Sequence, residues 1–350
     1  MLLATESRGE LIENRHEGCV AVVGEEGLRY AGGRWGERMF FRSCSKPIQA
    51  LPVFLLGLDK SYGLTDEECA IMAGSNAGEP ICTEVAERLI EKAGVTDDDL
   101  VLRPRYPSHE PTKFAAIARG EGPRKVWHGC APKHVGAILV QRELTGSGRG
   151  YHLPDSAAQR LIRYTISLFT GTPYERIALG TDGCGVPVFG VPGDAMAHAF
   201  LCLAAPDLIP EKGFADAARR ITALMHRYPH LVRGNNYLCT VLNAADGVVA
   251  KGGASGVYCF GLKPERLGVM FKIADGTETA WQAITARIIR QIAPDGHGAL
   301  LQKLETEELI GTVCREIRSL AGEAIGELRA DFTLRRPGES RRGRELSEKS

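Results

Sequence analysis

The sequence has no surplus of charge of either sign, its 43 Lys and Arg being matched by 43 Asp and Glu. A chain so balanced exerts no general pull on phosphate backbones or anionic lipid, so neither nucleic acid nor membrane is expected as a partner. The one dense basic stretch, Arg335 to Arg344, reads as part of a solvated, disordered tail over 335–350. There is no run of eighteen apolar residues, and no basic segment followed by an apolar one at the N-terminus; a cytoplasmic, unprocessed chain is expected. The ten cysteines are scattered, without the clustered spacing of a disulfide-rich module. Most read as small apolar core residues in a reducing compartment. Gly-x-Gly-x-x-Gly and Gly-x-x-x-x-Gly-Lys-Ser/Thr are both missing, which argues against a nucleotide enzyme. With no internal repeat and no dividing linker, residues 1–334 read as one catalytic unit or two closely packed subdomains.

What is present is an ordinary globular composition, 350 residues at 44% hydrophobic, long enough to bury a core without covalent staples. Residues 17–30 predict a β-hairpin. Apolar spacing predicts a helix from Ser45 to Leu56 that kinks or breaks at Pro52, and Thr65 to Glu68 is a capping box opening a short helix. Ser75 to Glu79 then falls in a loop, and Pro80 to Lys92 reads as a helix closed by Gly94. Further helices are expected at 113–119, 135–144, 154–169, 193–204, 213–227, 236–245, around Trp281 to Ile292, and around Glu305 to Arg329. Strands are expected at Lys125–Trp127, 176–179, 248–251, 256–260 and 267–273. Strands at both ends with helices between them predict an α+β fold, an antiparallel sheet built from the terminal segments with a group of helices against it.

Chemistry concentrates where elements begin or end. Ser43-x-x-Lys46 places a hydroxyl and an amine on one face of a helical turn. A serine hydroxyl needs a base to attack, and a lysine whose charge is suppressed by burial or by a second cation can serve. Ser75, in Gly74-Ser75-Asn76-Ala77-Gly78-Glu79, and Lys251, in Lys251-Gly-Gly at a strand end, have the same exposed setting. As a set they are similar to acyl-transfer enzymes that combine Ser-x-x-Lys, a serine loop and a Lys-Thr-Gly strand. Cys130-x-x-Lys133 and Asp182-Gly-Cys184 also meet element starts and glycine-dense turns, but their spacing alone does not specify a metal site.

Taken in order, these segments resemble the rhizobial-type L-asparaginase (asparaginase II) family over about Glu6 to Ala293. The matching stretches are Arg42-Ser43-x-x-Lys46-Pro-x-Gln49-Ala50, Ser75-x-x-Gly78-Glu79, Cys130-x-x-Lys133-His134-x-Gly136, Asp182-Gly183-Cys184 with Pro187, and Lys251-x-Gly253-Ala254-x-Gly256-Val257. The resemblance implies a glutaminase and serine β-lactamase-like α+β fold acting as a homodimer. It pairs Ser43 with Lys46 and Ser75 with Lys251, and places Arg42, Asp182, Asn76, Gly253 and Ala254 around a small-molecule amide. It also implies a zinc ion held by Cys130, Lys133 and Cys184 as an organiser of the site. The implied reaction converts L-asparagine to L-aspartate and ammonia through a serine acyl-enzyme. Departures occur at Asn76 (His in the family), Gly129 (Asn), Ala131-Pro132 (Ser-Gly) and Ser255 (Glu). A related amidase or glutaminase acting on another small amide, and a non-catalytic binding protein, are the alternatives.

Overall fold

A computed structural model describes residues 1–339. Its main sheet has eight strands, all paired antiparallel. The strands are β1 (Leu2–Arg8), β2 (Leu11–Gly24), β3 (Gly27–Gly32), β7 (Val248–Gly253), β8 (Val257–Leu262), β9 (Leu267–Ile273), β10 (Glu316–Arg318) and β11 (Ala324–Arg329). A smaller sheet joins β4 (Arg38–Phe40), β6 (Pro187–Pro192) and β5 (Ala178–Thr181). The main order is β10-β11-β1-β2-β9-β8-β7, with β3 added to β2. N- and C-terminal segments thus build one sheet, as the sequence predicts, and the intervening helices cluster against it. The expected hairpin is β2 with β3, Gly24 facing Gly27 across the turn.

Long β2 serves three partners: its first half pairs with β1, and its second half lies between β9 and β3. Strands β7 and β8 are buried at every position, because helices cover both faces. The helix Gly193–Ala204 lies on one face. Its approach is set by two glycines: a Cβ at Gly268 would stand 1.9 Å from Ala197 O, and one at Gly261 2.4 Å from Phe200 O. Only a bare Cα lets strand and helix backbones come so near. Against the other face, Trp281 opens the helix Trp281–Ile292 and meets Tyr258 edge-on, with ring centroids 5.0 Å apart.

Local signals set most boundaries. Thr65 and Glu68 form the capping box reciprocally, at 3.3 and 2.8 Å. The helix Pro80–Lys92 forms as expected. The stretch after Ser43 is broken into a 3₁₀ turn, Arg42–Ser45, and short helices Lys46–Gln49 and Leu51–Leu55, as Pro52 requires.

Two expectations fail. Residues 305–329 do not form a helix: the helix Gly298–Thr306 ends there, and β10 and β11 follow. Gly311 and Gly322 take positive φ and interrupt the chain, and β11 finds its partner in β1, at the opposite end of the sequence. Lys125–Trp127 is a turn and no strand; the nearby pairing is a lone bridge between Arg105 and Arg124.

Arg335 bridges to Ala31 through a 2.9 Å backbone hydrogen bond, and the rest of the expected tail, 340–350, lies outside the described residues. No helix among the described residues is long and apolar enough to cross a membrane.

Candidate active site

The turn Arg42–Ser45 is the hub onto which the other motifs fold. Arg42 holds a positive φ of 50°, a conformation that a non-glycine residue adopts only when its surroundings enforce it. The restraint is visible on both sides. Its guanidinium pairs with Asp182 at 3.1 Å and donates to Ser255 Oγ at 3.2 Å. On the backbone side the turn rests on Gly253, where a Cβ would stand 3.1 Å from both Arg42 Cβ and Cys44 N. Cys44 Sγ then donates to Lys251 O at 2.9 Å. Ser43 is therefore fixed beside the end of β7.

Lys46, fully buried one turn later, donates to Gly74 O at 2.8 Å and Gly129 O at 2.9 Å. These bonds tie the turn to the Ser75 loop and to the start of the helix Ala131–Thr145. Gly129 is itself pressed against the loop, its missing Cβ only 2.6 Å from Asn76 O. Ser75 N donates to Val232 O at 2.8 Å, and Asn76 Oδ1 accepts from Gly78 N at 3.1 Å. Glu79 grips Asn235 through its backbone and side-chain nitrogens, at 2.8 and 2.6 Å.

The segments that carry the candidate residues meet here, yet neither serine–lysine pair is joined by a hydrogen bond among the described residues. Lys46 spends two N–H bonds on carbonyls, and Lys251 Nζ donates to Gly252 O at 2.7 Å. Ser75 Oγ, Asn76 Nδ2 and Arg42 Nε are buried with no partner among the described residues. Unpaired buried polar atoms are costly. Grouped at the meeting point of the motifs, they mark where an incoming polar molecule would be held.

The surroundings shift two of the buried amines toward the neutral form. Burial, with Lys133 and Lys251 nearby, pushes the Lys46 amine down to about 8 against a partial counter-pull from Cys130 and Cys184. Lys251 is lowered too, chiefly by burial. A neutral primary amine has two N–H bonds, both accounted for at Lys46 by the Gly74 and Gly129 carbonyls, so its lone pair is left to accept a proton.

Cys130, Lys133 and Cys184 form the adjoining cluster. Lys133 Nζ lies 3.3 Å from Cys184 Sγ. The Cys184 hydrogen bond, helped by Lys46 and Lys133, holds the Cys130 thiol well below its ordinary range, while Cys184 is raised. Burial lowers Lys133, but the neighbouring sulfurs outweigh it and keep the amine protonated. Among the described residues there is no group of three or more His, Cys, Asp or Glu arranged for a metal ion. The donor set at this cluster, two sulfurs and one amine, does suit a thiophilic divalent ion once the amine gives up its proton.

Two nearby charged residues lie outside every motif read from the sequence. Arg233 Nη1 donates to Ser75 O at 3.2 Å, and Glu278 is electrostatically coupled to Arg233 and Lys251. No spacing rule singles them out, since each reaches the site only through the tertiary fold. A large cleft of about 740 Å³, lined by Arg38, Arg176, Asp194 and His198 among others, shares no residue with this cluster.

A family profile described as L-asparaginase II matches residues 4–330. No curated protein matches the sequence. Among solved structures, the chain is similar to Mglu in its native form at 16% identity and a TM-score of 0.41, over 78% of this chain and 63% of that one. It is similar to a Bacillus subtilis glutaminase in covalent complex with 5-oxo-L-norleucine at 16% identity and a TM-score of 0.36, over 78% and 85% of the two chains. A β-lactamase of Mycobacterium bovis matches at 16% identity and a TM-score of 0.40, over 79% and 94%.

Proposed function

Given that the chain belongs to the L-asparaginase II family and is thereby a hydrolase acting on amides, we propose that it cleaves the side-chain amide of L-asparagine, releasing L-aspartate and ammonia. The observation that carries this reading is the crowd of buried lysines. Lys46, Lys133 and Lys251 are all nearly inaccessible, and burial, helped by repulsion from the other two, holds Lys46 near 8, the condition for an amine to act as a base close to neutral pH.

In the proposed cycle Ser43 Oγ attacks the amide carbon while Lys46 Nζ takes the hydroxyl proton. Lys46 returns that proton to the departing nitrogen, ammonia leaves, and the aspartyl group stays esterified to Ser43. Water, deprotonated by the same amine, attacks the ester; the Ser43 oxygen leaves, taking the proton back from Lys46, and L-aspartate is freed. Ser75, with Lys251 behind it, is the second hydroxyl–amine pair and orients the substrate. Arg42, Asp182, Asn76, Gly253 and Ala254 line the pocket that receives it. Cys130, Lys133 and Cys184 would hold zinc, whose charge would organise the pocket when bound. We further propose that the protein works as a homodimer.

The test is ammonia release from a panel of small amides that includes L-asparagine and L-glutamine, with nitrocefin as a β-lactam probe. Ser43→Ala is expected to lose on the order of a thousandfold or more in kcat with its fold intact. Full ammonia release by that variant refutes the nucleophile assignment and moves it to Ser75.

A further inference from the structure

Arg233 and Glu278 lie on two stretches joined through the segment 310–313: Ile310 N donates to Asn236 O at 2.7 Å and Val313 N to Thr279 O at 2.9 Å. Arg233 follows the short helix Pro229–Val232 and runs beside the serine loop: Ala77 N donates to its carbonyl at 2.8 Å, and its guanidinium donates to Ser75 O at 3.2 Å. The guanidinium also lies over the Tyr237 ring, 5.1 Å from the centroid. No carboxylate is paired with it within 4.0 Å among the described residues. A cation held by a carbonyl and an aromatic face, with donors to spare, is prepared for an anionic guest.

Glu278 stands just ahead of the helix Trp281–Ile292, its carbonyl accepting from Trp281 N at 3.1 Å. That segment packs directly on the end of the β7–β8 hairpin. A Cβ at Gly252 would stand 2.9 Å from the Trp281 ring, and one at Gly256 would stand 3.1 Å from Thr277 O. Glu278 thus belongs to the segment that packs on the strand end carrying Lys251. Its carboxyl is partly buried, and no hydrogen bond or ion pair to it is found among the described residues. Burial raises its pKa while Arg233 and Lys251 draw it back, so both cations lie within its electrostatic reach.

Opposite charges on adjoining stretches of the site, not paired with one another, leave room for a molecule bearing both. We propose that Arg233 and Glu278 are the specificity residues for a zwitterionic amino-acid amide, Arg233 receiving its α-carboxylate and Glu278 its α-ammonium. This rests on the amidase reading and narrows it to substrates with a free α-amino acid end. An analogue lacking either end leaves one partner desolvated and unpaired, which is how a polar site rejects it.

The experiment compares kcat/KM for L-asparagine, for succinamate, which lacks the ammonium, and for 3-aminopropanamide, which lacks the carboxylate. Wild type is expected to favour L-asparagine over each by roughly tenfold or more, the scale of one charged hydrogen bond. Glu278→Gln should reduce the preference over succinamate by about tenfold and leave most of the preference over 3-aminopropanamide; Arg233→Gln should do the reverse. Equal losses on all three amides in both variants, or no change in either preference, overturn the assignment. If wild type releases ammonia from no amide, the amidase reading falls, and calorimetric binding of L-aspartate, succinate and β-alanine decides the pair separately. Tighter L-aspartate binding, lost end by end in the two variants, upholds it. Equal binding of the three ligands, or binding of none, overturns it.

Discussion

The pH profile of catalysis is the most direct consequence of the buried lysines. With Lys46 near 8, the neutral fraction is about one tenth at pH 7 and about nine tenths at pH 9, so a reaction needing the free amine speeds up about tenfold and then levels off. An amine at its ordinary 10.5 would behave differently: over the same interval the rate would climb about a hundredfold with no plateau. Initial rates of ammonia release between pH 6 and 9.5, at substrate well below KM, separate the two. Lys46→Arg, which keeps charge and discards the accessible free base, should abolish the rising limb and lower kcat on the order of a hundredfold to ten-thousandfold. The same displacement has a stability signature. The folded amine gives up its proton at lower pH than the unfolded one, so this group adds stability as pH rises from about 8 towards 10.5, about 3 kcal/mol in all. Urea titrations of wild type against Lys46→Met should therefore diverge in favour of wild type between pH 7 and 9.5. A rate profile flat from pH 7 to 9, or one still rising with unit slope up to pH 9.5, refutes Lys46 as a base tuned by burial.

Two further outcomes probe the scaffold and the sulfur cluster. Gly268→Ala puts a methyl where Ala197 O already stands, 1.9 Å away; because both parties are backbone, no rotamer change relieves it, and chemical denaturation should show a loss of about 3 kcal/mol or more. A loss under 1 kcal/mol would mean that the helix Gly193–Ala204 can retreat from the sheet. Elemental analysis of protein purified without chelator should find roughly one zinc per chain and nearly none in Cys130→Ala, with unaltered circular dichroism. Metal-free wild type would leave Lys133 as the cluster's standing cation and remove zinc from the proposal.

The parts of the fold legible in the sequence are those determined by near neighbours. Thr65 caps its own helix through Glu68, Pro52 splits the stretch after Ser43, and Gly94 closes the helix Pro80–Lys92 with a φ of 56°. The candidate motifs stand out in the sequence for a related reason: each lies where an element starts or stops, with glycine or proline beside it. What escaped depends on distant partners. Strand β11 reads as helix until β1 is brought alongside, and the close approach there needs Gly326, whose Cβ would stand 1.9 Å from Ser7 O. Likewise Lys125–Trp127 has strand-like residues but no ladder to join. Arg233 and Glu278 are invisible to spacing because their meaning comes from a hairpin end and a serine loop remote in sequence from one or both of them.

The site also shows why its residues cannot be judged by stability. Three lysines in one buried cluster, a serine hydroxyl and an asparagine amide without partners, and an arginine at positive φ each cost folding free energy, on the order of 1–3 kcal/mol apiece. A large, close-packed core on two faces of the sheet is what tolerates that expense. Replacing Ser75 by alanine removes an unpaired buried oxygen and should therefore leave the protein as stable as before or more so, even as it impairs turnover. A Ser75→Ala variant that proves clearly less stable would show that the hydroxyl has a structural partner, and the grouping of unpaired polar atoms would then lose its meaning as a mark of the substrate's place.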